Sequence, residues 1–315
     1  MKILIADKIS DKGIAILKDN HDVTVRDGLT ENQLLEIIAD YDAIVVRSKT
    51  HITKKVMDAA EKLMIVGRAG TGVDNIDVKY ATKKKIYVMN TPAANSVSVA
   101  EHTIGLMLAL LRNISKADSS MKQGKWEKKS LKGNELYEKN LGLIGLGRIG
   151  SLVAERLSAF GMKILVYDPY VNEEIAKKNN AVLINNLPEL LKESDIISIH
   201  VPLTPKTKDL IGKNEFAMMK KSAIIINCAR GGIINENALH KALNTGKIAG
   251  AALDVYENEP PVASPLLKLE NILITPHLGA STQEAQDRAG VQLATQIINA
   301  FKGKFENVVN RELVS

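Results

Sequence analysis

The stretch from Asn140 to Gly161, "NLGLIGLGRIGSLVAERLSAFG", leaves this chain few ways to fold. Its apolar "LGLI" reads as a buried strand, Gly145, Gly147 and Gly150 as a tight loop, and "SLVAERLSAFG" as a helix ended by Gly161. Three glycines alone would make no more than a turn. Strand, glycine loop and helix in this order are the opening of a βαβ unit built around an anion. The first glycine permits the turn, the second lets the backbone approach a pyrophosphate, and the third lets helix and strand pack closely. The helix start then faces the negative charge with its unpaired N–H groups. Eighteen residues after Gly150 the next strand ends in Asp168, where a carboxylate would bond an adenosine ribose and repel a 2′-phosphate. NAD is therefore the expected cofactor, in preference to NADP.

Around this unit, short apolar runs alternate with helical patterns, the sequence form of parallel α/β sheets. A first series comprises "KILIA" (2–6), "DVTV" (22–25), "AIVV" (43–46), "LMIVG" (63–67) and "IYVMN" (86–90). A second runs through "NLGLIGLG" (140–147), "KILVYD" (163–168), "AVLI" (181–184), "DIISIHVP" (195–202), "AIIINCA" (223–229), "IAGAALDV" (248–255) and "NILITPH" (271–277). Capping boxes Ser98-x-x-Glu101 and Ser281-x-x-Glu284 predict the starts of two long helices, the second carrying Leu293, Ile297, Ile298 and Phe301 at helical spacing. No third sheet follows that last helix, so it is expected to return to the first domain. The expected division is 1–97 for a small substrate domain, 98–284 for the dinucleotide domain and 285–315 for the return, with a cleft between the domains.

A chain of 315 residues with 45% hydrophobic content suits two packed domains. Its net charge of +6 is spread along the sequence in short lysine clusters such as "KKK" at 83–85, which argues against a nucleic-acid surface. A single cysteine, Cys228, excludes an internal disulfide and a cysteine metal cluster and fits a reducing cytoplasm. The longest apolar stretch, "IGLMLALL" at 104–111, falls far short of the ~18 residues of a membrane span, and "MKILIADKIS" reads as a strand, not a secretory signal. No metal site is expected, and no membrane partner.

Ligands of open α/β sheets lie beyond the carboxyl ends of the strands, and three arginines stand at such ends: Arg47 after "AIVV", Arg68 after "MIVG" and Arg230 after "AIIINCA". Each either pairs with a nearby acid such as Asp74 or Asp77, or holds a substrate anion through its planar fork. Gly70 and Gly72 around Thr71 would turn backbone N–H groups toward the same anion. Of six histidines, His21 and His51 lie in surface-like contexts, His102 and His240 in helices and His200 inside a strand, and all five read as structural. His277 instead ends the strand "ILITPH", at the same sheet edge as Arg230. Glu259, in the loop "DVYENEPP", is either a solvated acid or the partner that fixes the His277 tautomer and raises its pKa for proton transfer near neutrality.

"GLGRIG" with Asp168, "NCARGG" with Arg230, "DVYENEP" with Glu259 and "TPHLGAST" with His277 together resemble the D-isomer-specific 2-hydroxyacid dehydrogenase family over nearly the whole chain. The resemblance implies a Rossmann NAD-binding domain and a smaller flavodoxin-like substrate domain, both doubly wound parallel sheets. It also implies that Arg230 binds the substrate carboxylate, His277 exchanges the proton and Glu259 orients His277. Arg148 and Ile149 are implied at the pyrophosphate, and Val201, Cys228, Ala229, Asp254, Gly279 and Ala280 beside the nicotinamide. "VVRSKT", "VGRAGTGVDNID" and "NTPAANSVSVAEHTIGLMLALLRNI" look most like the branch that oxidises D-3-phosphoglycerate with NAD at the head of serine synthesis. That likeness implies a substrate site of Arg47, Ser48, Arg68, Gly70, Thr71, Gly72 and Asn95, with Thr71 also touching the cofactor, and a homodimer. Because the sequence stops at Ser315 soon after its last helix, feedback through a C-terminal serine-binding domain is not expected. The alternatives are reduction of glyoxylate or hydroxypyruvate, another D-2-hydroxy acid, or a non-catalytic NAD-sensing corepressor.

Overall fold

The computed structural model describes residues 1–313. It divides into two units, Met1–Ser96 together with the segment from Ala280 onward, and Val97–Gly279. In chain order the first unit contains β1 (Lys2–Ile5), α1 (Asp11–Lys18), β2 (Asp22–Val25), α2 (Glu31–Ile37), β3 (Ala43–Val46), α3 (Lys54–Ala59), β4 (Ile65–Arg68), α4 (Val78–Lys83) and β5 (Tyr87–Asn90). The second contains α5 (Ser96–Leu111), which starts one residue before it, then α6 (Ile114–Lys122), β6 (Asn140–Ile144), α7 (Arg148–Ser158), β7 (Lys163–Tyr167), α8 (Glu173–Lys178), β8 (Ala181–Leu183), α9 (Leu187–Glu193) and β9 (Ile196–Ile199). It continues with α10 (Lys213–Met218), β10 (Ile224–Asn227), α11 (Glu236–Asn244), β11 (Gly250–Leu253) and β12 (Ile272–Ile274). The last long helix, α12 (Gln283–Ala300), belongs to the first unit.

In the first unit five parallel strands lie in the order β2-β1-β3-β4-β5, the flavodoxin-like winding with its reversal between β1 and β3. Side chains alternate along each strand, so one short apolar run supplies two cores. Ile3, Ile5, Val45 and Ile65 pack with Leu17 of α1 and with Leu293, Ala294 and Ile297 of α12. Leu4, Ile44, Val46 and Val66 pack on the other face with Leu34, Val56 and Met57. Helices α1 and α12 meet backbone to backbone, since a Cβ on Gly13 would stand 2.7 Å from the Gly290 carbonyl.

The second unit holds seven parallel strands in the order β12-β11-β10-β9-β6-β7-β8, with its reversal between β6 and β9. Val99, Ala100, Ile104 and Met107 of α5 join Val153, Ala154 and Leu157 of α7 over one face of the sheet. Leu190 and Leu191 of α9, Phe216 of α10 and Leu239 and Leu243 of α11 cover the other. The expectation of two doubly wound parallel sheets is met, strand by strand.

Four local readings need correction. Helix α5 opens at Ser96, so Ser98 and Glu101 fall inside it and do not cap it. Helix α12 takes Thr282 as its cap, with Oγ1 accepting from the Ala285 N–H at 3.1 Å, one residue later than the expected Ser281. Two adjacent hydroxyls compete there, and the one aligned with the third amide of the helix wins. His200 follows β9 instead of lying within it. His21 is half-buried, its ring packed edge-on against Phe301 at 5.1 Å with Nε2 out of solvent.

Candidate active site

Three structural jobs divide the glycines of the loop after β6. Gly145 turns the chain with φ 98°, in the left-handed region, and a Cβ there would lie 2.8 Å from both the His200 carbonyl oxygen and the Val201 side chain. A Cβ on Gly150 would overlap the Gly145 carbonyl oxygen, so only glycine allows α7 so close to the strand end. Gly147 caps α7 with no side-chain bond, and a Cβ on it would meet nothing within 4 Å. An uncapped helix start with open space above it is the cradle a pyrophosphate requires. Arg148 is exposed in the first turn, whereas Ile149 is drawn partly into the core beneath. Beside the loop, Asp168 accepts the Leu146 N–H and the Tyr170 N–H, each at 2.9 Å. These residues fit a dinucleotide, and the bonds from the two amides hold the Asp168 carboxylate beside the glycine loop.

The three polar residues singled out for chemistry follow three neighbouring strands. Arg230 comes after β10, Glu259 after β11 and His277 after β12, all at the carboxyl edge that also carries the glycine loop. His277 Nδ1 lies 2.7 Å from Glu259 Oε2. An ionised carboxylate only accepts, so Nδ1 carries the proton and Nε2 is left as the basic nitrogen. The other oxygen, Glu259 Oε1, accepts the Tyr256 N–H at 3.1 Å and thereby holds the carboxylate in place. The bond to Glu259 raises the His277 pKa above 6.5, against the effects of burial and of the Arg230 charge. Burial pushes Glu259 upward, but the bonds from His277 and the Tyr256 N–H outweigh it and leave the carboxylate below its ordinary value.

Arg230 is held by a folded turn: the Asn227 side chain donates to the Arg230 carbonyl oxygen at 2.8 Å and accepts the Ala229 N–H at 3.0 Å. The next residue, Gly231, packs directly on the Tyr256 backbone, where a Cβ would overlap the carbonyl oxygen. Cys228, at 7% exposure, is too buried to act as a nucleophile, and its thiol is pushed up to about 12 by burial. Neither it nor Ala229 offers a charge.

Two further residues act here that sequence reading did not single out for this role. Asp254, 1% exposed, accepts the Thr275 hydroxyl at 2.6 Å, the Leu278 N–H at 2.7 Å and the Gly279 N–H at 2.8 Å. It therefore fastens the turn on both sides of His277, which itself adopts the left-handed φ of 54°. Burial would push this carboxyl upward, yet the bonds from His102, Thr275 and the two amides keep it below its ordinary value. His102, read as structural, stands 3.3 Å from Asp254 Oδ1 and 3.2 Å from Thr275 Oγ1. In the sequence Asp254 lies at the end of the strand run "IAGAALDV", and nothing local revealed its four donors. His200 bonds Ser198 Oγ at 2.9 Å and is pushed down to about 4 by burial, which keeps it neutral.

In the first unit Arg47 and Ser48 follow β3, Arg68 ends β4 with Gly70, Thr71 and Gly72 after it, and Asn95 follows β5. Arg68 Nε donates to the Arg47 carbonyl oxygen and to Asn75 Oδ1, both at 3.2 Å. Thr71 Oγ1 donates to Asn95 Oδ1 at 2.8 Å, and Asn90 donates to the Thr71 carbonyl oxygen at 2.6 Å. A small cavity of about 30 Å³, room for one water, is lined by Arg47, Gly70, Asn95, Ala280, Ala285 and Gln286 among others. Ser48 stays exposed at the loop tip, and Asp77 caps α4 by accepting the Tyr80 N–H at 3.0 Å. Thr71 and Ala280 belong to this unit, and the rest of the implied cofactor set to the other.

A sheet reversed between β6 and β9, a cradle of glycines at that point and a histidine–carboxylate pair on the same edge define a dinucleotide-binding unit equipped for proton transfer. Residues 104–279 match the family described as D-isomer specific 2-hydroxyacid dehydrogenase, NAD binding domain. The chain belongs to the D-isomer specific 2-hydroxyacid dehydrogenase family. It is 54% identical over 311 residues to the D-3-phosphoglycerate dehydrogenase of Methanocaldococcus jannaschii and 48% identical over 313 residues to that of Archaeoglobus fulgidus. Each alignment covers 98% of this chain and 59% of the relative, so the chain spans somewhat over half the length of these curated relatives. Among solved structures, the D-lactate dehydrogenase of Aquifex aeolicus complexed with NAD and lactic acid superposes with a TM-score of 0.84 at 30% identity, covering 96% of both chains. Among the described residues no helix is long and apolar enough to cross a membrane.

Proposed function

We propose that this chain oxidises D-3-phosphoglycerate to 3-phosphohydroxypyruvate with NAD. The observation that carries the chemistry is the 2.7 Å His277–Glu259 pair, which leaves Nε2 of His277 basic and within the field of Arg230. The choice of substrate is supported by the names of the relatives and by two arginines at strand ends of the first unit.

Arg230 pairs its fork with the substrate carboxylate and polarises the C2 oxygen. His277 Nε2 takes the C2 hydroxyl proton, and Glu259 stabilises the imidazolium that forms. NAD, when bound, supplies the hydride acceptor. Gly145, Gly147, Arg148, Ile149 and Gly150 would hold its pyrophosphate, Asp168 its adenosine ribose, and Val201, Cys228, Ala229, Asp254, Gly279, Ala280 and Thr71 would serve its nicotinamide side. Arg47, Ser48, Arg68, Gly70, Thr71, Gly72 and Asn95 hold the substrate, with the phosphate on the arginines. The site calls for no metal. Following NADH absorbance with a panel of 2-hydroxy and 2-keto acids tests the reading. 3-Phosphoglycerate is expected to lead, preference for glyoxylate, hydroxypyruvate or lactate would replace the substrate, and no turnover on any acid would favour a non-catalytic NAD sensor.

Glu259→Gln removes the charge that raises His277. Oxidation requires neutral His277, so kcat/KM for 3-phosphoglycerate rises with pH through the raised pKa. In the variant this acid limb moves to lower pH, and the plateau falls by about tenfold or more. An unmoved limb would assign it to another group. Arg68→Ala is expected to raise KM for 3-phosphoglycerate by about tenfold or more and to leave KM for unphosphorylated D-glycerate nearly unchanged. Equal effects on both would deny Arg68 a phosphate role.

We also place the protein in the cytoplasm as a homodimer. Ile114 and Met121 of α6 and Trp126 just after it are 53%, 55% and 79% exposed, apolar side chains that a second copy could cover. Light scattering should give twice the chain mass of 34.3 kDa.

A further inference from the structure

The reversal of the first sheet, between β1 and β3, is where a ligand of this fold is expected, and here a carboxylate of the protein itself fills the spot. Asp7, two residues past β1 and 2% exposed, accepts the Arg47 N–H at 2.6 Å, the Thr50 N–H at 3.2 Å and the Lys49 N–H at 3.3 Å through Oδ2. Its Oδ1 accepts the Thr50 hydroxyl at 2.6 Å. The loop 47–50 has no regular structure, so its backbone groups depend on such partners. Its carbonyl oxygens are held by Asn75, 9% exposed, whose Nδ2 donates to Thr50 at 2.6 Å and to Arg47 at 2.9 Å. The Oδ1 of the same Asn75 receives Arg68 Nε at 3.2 Å.

We propose that Asp7 and Asn75 are positioning residues that preset the Arg47 loop and the Arg68 guanidinium as one receptor for the phosphate end of the substrate. The inference rests on the reading of 3-phosphoglycerate as substrate. One side chain takes the loop's donors and the other its acceptors, so the loop is fixed before any anion arrives. Asn75 ties this loop to Arg68, because its amide bonds both, beside the direct bond of 3.2 Å from Arg68 Nε to the Arg47 carbonyl oxygen. Holding charges in place before binding lowers the ordering cost of binding, and that benefit falls on the charged substituent instead of the reacting carbon.

The test uses Asp7→Asn and Asn75→Ala in the full chain. The amide that replaces the Asp7 carboxylate offers one acceptor atom where two served. Alanine at 75 removes both donors and the acceptor. Two readouts are taken: kcat/KM for 3-phosphoglycerate and for D-glycerate, and hydrogen exchange of the Arg47, Lys49 and Thr50 amides. Both variants should lose about tenfold or more of the preference for the phosphorylated substrate, with KM for NAD and kcat on D-glycerate within about twofold. In Asp7→Asn the three amides should exchange about tenfold faster or more. Faster exchange with the preference intact would overturn the inference, as would unchanged exchange or an equal loss on both substrates. A parent enzyme with no preference for the phosphorylated acid would refute the substrate reading itself and, with it, the phosphate receptor. The exchange readout then still decides whether the two side chains hold the loop.

Discussion

His277→Ala should lower kcat for 3-phosphoglycerate by about a hundredfold or more while NAD binds as before. The separation of effects follows from geometry. The glycine cradle and Asp168 are built from β6, α7 and β7, and none of their hydrogen bonds involves His277. His277 bonds Glu259 by its Nδ1 only, so truncation removes the proton acceptor and leaves the Tyr256 N–H to hold the carboxylate. Stopped-flow reduction of NAD and a fluorescence titration of NADH would measure the two quantities separately. Turnover close to the parent value would take the imidazole out of the mechanism. The pair also sets a pH dependence of stability: because folding raises the His277 pKa, its contribution is complete below the unfolded value of 6.5 and fades as pH rises through the folded one.

Gly231→Ala is the second large effect. The added methyl would enter the Tyr256 carbonyl oxygen, and both atoms belong to backbone, so no side chain can swing away. The loops after β10 and β11 must part, moving Arg230 away from Glu259 and its histidine. Overpacking of this kind costs about 1–3 kcal/mol of stability. Misplacement of catalytic groups by an ångström costs about a hundredfold in kcat/KM. Calorimetry and steady-state kinetics on the same preparation would compare them, and near-normal activity would show that the Arg230 turn tolerates displacement. Gly232, at φ 75°, would differ: there the backbone conformation, not crowding, resists a side chain.

The strands were legible because each is a short β-branched run, and a parallel sheet buries such runs on both faces. "AIVV" at 43–46 is fully buried and could hardly be anything else. The glycine loop and His277 were legible because both lie at strand ends, where a sequence changes character abruptly. What pairs across the fold was not. The four donors of Asp254 come from residues 102, 275, 278 and 279, and the partners of Asp7 from 47 to 50, distances along the chain that no periodicity encodes. A buried carboxylate reads in sequence like any other acid. Helix starts were misjudged by three residues for α5 and by one for α12; at α12 the reason is local, since the neighbouring Ser281 and Thr282 hydroxyls each suit the pattern and only their orientation selects one.

The central claim is that hydrogen leaves C2 of a D-2-hydroxy acid as hydride while its hydroxyl proton goes to His277. It is tested most directly with D-3-phosphoglycerate carrying deuterium at C2, followed by mass spectrometry of the nicotinamide product. Full recovery of the deuterium in NADH is the expected result. Deuterium released to water, or no reduced cofactor at all, would contradict the account.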